Sequence, residues 1–206
     1  MTKLLIKAWR GAFVLLALAG GCVSIEKGYP DKRYFVLAIE PSVNPSNPPG
    51  NAILRVSAIR VSPRYEDKSF VYRTSESSYE SDFYNQFLVS PAALLGEEVR
   101  KGLVRSQIFR HVINSSSQVE PTHVLEGVVD ALYGDFRDPS APKAVLEMEF
   151  FLSKESAAKA EIVAAKRYAR TVNVNGRSPE ALVKGWNEAL EGILSSLATD
   201  LKATKY

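Results

Sequence analysis

One cysteine in 206 residues, Cys22, stands at the end of a short apolar run near the N-terminus. With no second thiol a disulfide framework is excluded, so the chain has to fold on a hydrophobic core alone. Lys3, Lys7 and Arg10 precede Gly11–Gly21, a stretch of eleven residues without a charge. A positive region, an apolar region and small residues, in that order, make up a secretory signal. A membrane-spanning helix needs about 20 apolar residues. The segment is therefore read as engaging export machinery without serving as a permanent span.

Ala19-Gly20-Gly21-Cys22 resembles the bacterial lipobox, in which a diacylglycerol is attached to the thiol and the chain is cut just before it. Leu18 stands four residues before the cysteine, where the usual motif has its Leu three before. Cys22 is accordingly the expected lipidation site, with residues 1–21 as signal peptide, 22–33 as lipidated tether and 34–206 as the domain. Each buried acyl CH₂ contributes about 0.8 kcal/mol, so two or three chains hold firmly where one is marginal. The eleven tether residues from Val23 to Arg33 reach roughly 35–40 Å when extended.

Removal of residues 1–21 leaves 185, enough for one domain with a substantial core. The net charge of +3 comes from the leader, and the remainder has 23 basic against 23 acidic residues. A neutral domain lacks the electrostatic footprint of a nucleic-acid binder. The contents of 46% hydrophobic and 24% charged residues are globular values.

Strand patterns cover Tyr34–Ile39, Ile53–Val61 (Leu54, Val56 and Ala58 on one face), Ser69–Thr74 and Ser78–Phe87. Pro41–Asn51, with four prolines, reads as a loop. Ser90-Pro91 opens a first helix carrying Leu95, Val99 and Leu103 on one face, with Glu97, Glu98, Arg100, Lys101 and Arg105 placed at the surface. Phe109–Ile113 reads as a short strand and His123–Phe136 as a long one broken at Gly127 and Gly134. Ala144–Ser153 alternates cleanly, with Leu146, Met148, Phe150 and Leu152 inward, and Ile162–Val174 is its expected hairpin partner. Ser178-Pro179-Glu180 opens a second helix with the stripe Leu182, Trp186, Leu190, Ile193, Leu197 and Leu201. The expected fold class is α/β: a single-domain sandwich of a mixed or mostly antiparallel sheet with two main helices.

Chemistry is sparse. No phosphate-cradling Gly-rich loop ending in Lys-Ser/Thr and no Gly-x-Ser-x-Gly elbow is present. The two histidines, His111 and His123, have no ligand partner at metal-site spacing. The reading is of a protein that is not an enzyme, with no metal and no cofactor beyond the covalent lipid on Cys22. The segment from Phe70 to Ser90 is rich in Tyr and Phe, residues that serve cores and are also enriched at interfaces. Tyr72, Tyr79, Tyr84 and Phe87 are its candidate partner-binding residues.

This segment resembles the ABC-type transport auxiliary lipoprotein family, which includes the paraquat-inducible lipoprotein C group. The resemblance is carried by Tyr34-Phe35-Val36-Leu37, by Val71 to Ser75, by Tyr79 and Tyr84, and by Ser106-Gln107-Ile108-Phe109 after the first helix. Phe87 stands where the family often has Trp. The resemblance implies a non-catalytic lipoprotein on the periplasmic face of the outer membrane, held there by its lipid anchor. Its implied partner is a mammalian-cell-entry (MCE) domain periplasmic protein of an ABC transporter that moves lipid or another hydrophobic molecule. Val23 after the lipidated cysteine, in place of the retention signal Asp, implies release to the outer membrane. A homo-oligomer is compatible with a ring-shaped partner. A lipid-binding shuttle with its own apolar cavity, and an envelope-assembly lipoprotein unrelated to transport, remain alternatives.

Overall fold

The computed structural model describes residues 31–39, 51–156 and 159–204. The leader, Cys22, residues 22–30 of the tether and the 41–50 part of the proline-rich loop lie outside them. Residues 32–206 make up one unit. Its strands are β1 (Arg33–Phe35), β2 (Ile53–Val56), β3 (Arg60–Val61), β4 (Ser69–Arg73), β5 (Tyr79–Phe87), β6 (His111–Asn114), β7 (His123–Asp135), β8 (Lys143–Lys154) and β9 (Glu161–Asn173). The helices are α1 (Pro91–Ser106), between β5 and β6, and α2 (Pro179–Ala203), after β9. The nine strands form one open mixed sheet, as the α/β reading expected.

Strand β7 is the spine. One side pairs antiparallel with β8, which pairs antiparallel with β9. The other side takes β2, β3 and β4 in succession, all parallel. Beyond them, β6 pairs parallel with β2, β5 antiparallel with β4, and β1 parallel with β5.

Both helices lie on one face of this sheet. Each starts on a serine cap followed by proline: Ser90 Oγ accepts from the Ala93 N–H and Ser178 Oγ from the Ala181 N–H. The whole α2 stripe is at most 3% exposed. It packs on the inward row Leu146, Met148, Phe150 and Leu152 of β8, which is buried as the alternation predicted.

Five local expectations are corrected. The first strand ends at Phe35, because the N–H groups of Ala38 and Ile39 donate to Asn187 Oδ1 (3.1 Å) and Glu98 Oε2 (3.0 Å) on the two helices instead of to a neighbouring strand. Glu98 is therefore not at the surface: it is 4% exposed, with Lys101 Nζ 2.9 Å from its other oxygen. Ile53–Val61 is two strands, because the four steps from Val56 to Arg60 match only three on β7, from Leu125 to Val128. The extra residue reverses the alternation, so Ala58 is exposed and Ile59 buried. His123–Asp135 is one continuous strand, and its glycines make room for the core: a Cβ at Gly127 would meet Ile59 Cδ1 at 2.5 Å, and one at Gly134 would meet the Leu182 methyls at 3.0 Å. The short strand after α1 begins at His111, two residues beyond the buried Phe109.

Candidate functional site

The aromatic segment singled out in the sequence forms the β4–β5 hairpin, and the pairing of that hairpin sorts its residues. Phe70 and Phe87 turn toward the helices. Phe87 is 2% exposed, with its ring centroid 4.6 Å from Phe70 and 5.6 Å from Trp186. It is a core residue and is withdrawn as a partner contact. Tyr72 also faces inward, half-buried, stacked on Phe136 at 5.0 Å. Its hydroxyl donates to Asp82 Oδ2 at 2.6 Å. Burial, then that bond, raises its pKa far above the usual tyrosine range. Tyr79 and Tyr84 remain accessible, Tyr79 at 39% and Tyr84 half-buried.

The register of the hairpin slips in its middle. Ser69 pairs with Gln86 but Val71 pairs with Ser81, so Asp82–Asn85 stand opposite Phe70 alone. A bulge of this size leaves backbone donors without a ladder partner. Asp82 takes them: its Oδ1 accepts from the N–H groups of Tyr84 (2.8 Å) and Asn85 (3.0 Å), and its Oδ2 accepts from the Asn85 side-chain amide (2.7 Å) as well as from Tyr72. The result is an Asx-type turn inside a strand, and it presents Phe83 outward at 63% exposure. Phe83 meets Tyr84 edge-on at 5.3 Å, and the Lys32 ammonium sits 4.0 Å from the Phe83 ring centroid.

A second group gathers at the turn end, on the face of the sheet opposite the helices. Tyr133 of β7 stacks on Tyr65 at 5.9 Å and meets Tyr79 edge-on at 5.8 Å, and the Arg73 guanidinium lies 5.7 Å from the Tyr79 ring. Glu76 joins two arginines, accepting from Arg73 Nη2 at 3.2 Å and from Arg137 Nη1 at 2.6 Å. Arg137 also forks onto Asp135, with Nη2 2.7 Å from Oδ2 and Nε 3.0 Å from Oδ1. Those bonds hold the Asp135 carboxyl below the usual carboxylate range. Burial, with Tyr79 alongside, pushes the Tyr65 hydroxyl up to about 12. The arrangement fixes aromatic rings and guanidinium groups on one rigid hairpin end, the residue types that dominate binding hot spots.

The histidines are not brought together. His111 begins β6 and His123 begins β7, on opposite sides of β2, and His123 is buried with Thr122 Oγ1 2.9 Å from its Nδ1. Among the described residues no group of three or more His, Cys, Asp or Glu is placed to hold a metal ion. Among the same residues no helix is long and apolar enough to cross a membrane.

Sequence reasoning missed Asp82 and the Arg73–Glu76–Arg137 bridge. The signal for the first was present: Asp and Asn are depleted from strands, and Asp82 and Asn85 interrupt a strand-like run. The second joins residues 61 positions apart and had no local signature.

The fold is similar to one already solved. The crystal structure of XCC0632 from Xanthomonas campestris, a protein of the DUF330 family model, superposes with a TM-score of 0.71 over 81% of this chain and 92% of that one, at 14% sequence identity. An uncharacterized protein matches with a TM-score of 0.66 over 83% of this chain and 99% of its own, at 15% identity. CT253 from Chlamydia trachomatis matches at 0.50 over 75% and 100% of the two chains, at 9% identity. At such identities the likeness is one of fold. No protein-family model and no curated protein matches the sequence.

Proposed function

We propose that this protein is a non-catalytic lipoprotein of the bacterial envelope, anchored through Cys22 to the periplasmic face of the outer membrane. There it docks the MCE-domain component of an ABC-type lipid transporter. The observation that carries the docking role is the turn end of the hairpin, where Tyr79, Arg73 and Arg137 are held in place by Glu76, Asp135, Tyr65 and Tyr133. Pre-ordered Tyr and Arg side chains lose little rotamer freedom on binding, which raises affinity without new contacts. The leader, the lipobox-like segment and the family resemblance support the anchor and the partner class. Tethering raises the effective concentration of the domain at the membrane, so that a modest intrinsic affinity suffices.

The test is capture of partners from crosslinked envelopes, identified by mass spectrometry, for the full-length protein beside Cys22→Ala and Tyr79→Ala. The expected result is an MCE-domain protein recovered with the wild type and lost with Cys22→Ala. Removing a hot-spot tyrosine costs about 2 kcal/mol or more, so recovery with Tyr79→Ala should fall at least about tenfold. Recovery of unrelated envelope proteins alone would sink the assignment, and undiminished capture by Tyr79→Ala would move the docking surface elsewhere.

A further inference from the structure

Ten large apolar side chains are exposed among the described residues, and five of them, Tyr34, Val36, Phe83, Leu88 and Val89, belong to β1, the end of β5 and the residues next to each. Each is between 41% and 63% exposed. The β1–β5 register brings Tyr34, Val36 and Leu88 together. Phe35 pairs with Phe87, both toward the core, so Tyr34 opposite Gln86 turns to the other face. Val36 and Leu88 follow on that face, the Leu88 N–H donating to the Phe35 carbonyl at 2.8 Å. The Asp82 bulge adds Phe83, whose carbonyl accepts from Gln86 Nε2 at 3.2 Å. Polar groups bordering this strip turn back onto the protein: Gln86 Nε2 also donates to Ser69 Oγ at 3.3 Å, and Lys68 Nζ to the Leu88 carbonyl at 3.2 Å. The outward surface is mainly carbon, of the order of several hundred Å², a size that marks an interaction site.

Where the chain continues indicates what covers the strip. Lys32 lies on Phe83, and Cys22 is ten residues upstream, so the strip starts within roughly 35 Å of a bilayer holding that cysteine. We propose that the strip rests on the surface of that bilayer, with Phe83 and Leu88 seated at headgroup level. The proposal rests on the reading of Cys22 as a lipid anchor. The Gln86 amide and the Lys68 ammonium at its border are already engaged, so the strip offers an occupant mainly carbon, which suits a lipid surface. Insertion stays shallow, because among the described residues β1 is an edge strand, and backbone groups without a strand partner do not enter hydrocarbon. Asp31 and Asp67 adjoin Lys32 and Lys68 in the sequence, so docking is expected to depend little on anionic lipid.

The experiment uses full-length protein purified from membranes, carrying Phe83→Trp, in vesicles of phosphatidylethanolamine and phosphatidylglycerol and in vesicles of phosphatidylcholine. Each set is doped with lipid brominated either near the headgroup or near the chain end, and acylation is read by intact mass. Trp186 is fully buried and gives a constant background. The expected result is loss of emission from the indole at position 83 with headgroup-proximal bromine, a smaller loss with deep bromine, and the same in both lipid mixtures. Val119→Trp, at an exposed site in the β6–β7 loop, is expected to keep its emission. Acylated protein without quenching at position 83 overturns the membrane docking alone. Absence of acyl mass overturns the docking and the anchor together.

Discussion

Asp82→Ala is expected to lower stability by about 2 kcal/mol, because one side chain holds together a four-residue bulge. Hydrogen bonds to a charged group contribute about 1.5–3 kcal/mol each when their loss leaves partners unpaired. Partial exposure of the hairpin lets water replace some of them, so the sum is well below four such bonds. The substitution frees the Tyr72 hydroxyl and the N–H groups of Tyr84 and Asn85. Denaturant unfolding gives the energy, and faster hydrogen exchange at Tyr84 and Asn85 gives the location. Unchanged exchange at those two amides would contradict the assigned role.

The same carboxylate makes stability pH-dependent. Burial alone raises its pKa, but the bonds from Tyr72, the Asn85 side chain and the N–H groups of Asn85 and Tyr84 outweigh that and hold it below the usual carboxylate range. The unfolded value is about 3.9. With the folded value lower, the contribution is complete above that pH and disappears as pH falls through the folded value. Asp82→Asn should therefore be less stable than wild type at neutral pH, with the difference narrowing below about pH 4.

Trp186→Ala is expected to cost about 3–5 kcal/mol, the range for removing a fully buried large aromatic side chain. The indole meets Phe70 edge-on at 4.9 Å and Phe87 at 5.6 Å, and its Nε1 donates to the Tyr133 carbonyl at 3.3 Å. It thus joins α2 to β4, β5 and β7 at once. For a domain of this size the loss corresponds to a fall in Tm of roughly 10 °C. Trp186→Phe keeps most of the packing and removes the donor to Tyr133, so it should cost about 1–2 kcal/mol. A loss below about 1 kcal/mol for the alanine variant would mean that the site collapses around the void.

The parts of the fold that were legible are those fixed by local periodicity. The α2 stripe and the β8 alternation both declare one buried face, and Ser90-Pro91 and Ser178-Pro179 declare where helices start. The errors fall where a distant partner overrides a local pattern. Glu98 reads as surface on its own helix and is buried because it receives the Ile39 N–H from a segment 59 residues away. Ile53–Val61 alternates as one strand, yet its pairing with β7 absorbs an extra residue. Phe87 and Phe83 are chemically identical in the sequence, and only the bulge that contains Phe83 sends one to the core and the other to solvent. The four candidate residues share one segment of the sequence, but their division into core and surface needed the strand register.

The position of β7 sets an order of events for a chain that emerges N-terminus first. Strands β2, β3 and β4 have their long partner in residues 123–135, and β1 and β5 reach the sheet only through β4. The first hundred residues therefore cannot close into the sheet until the central strand has arrived, and such non-local parallel pairing is slow. A chain in this state has its N-terminal segment available to processing enzymes while the domain is still open. On the proposal that Cys22 is lipidated, its modification would then precede folding, and the sheet would assemble on a polypeptide already held at the membrane.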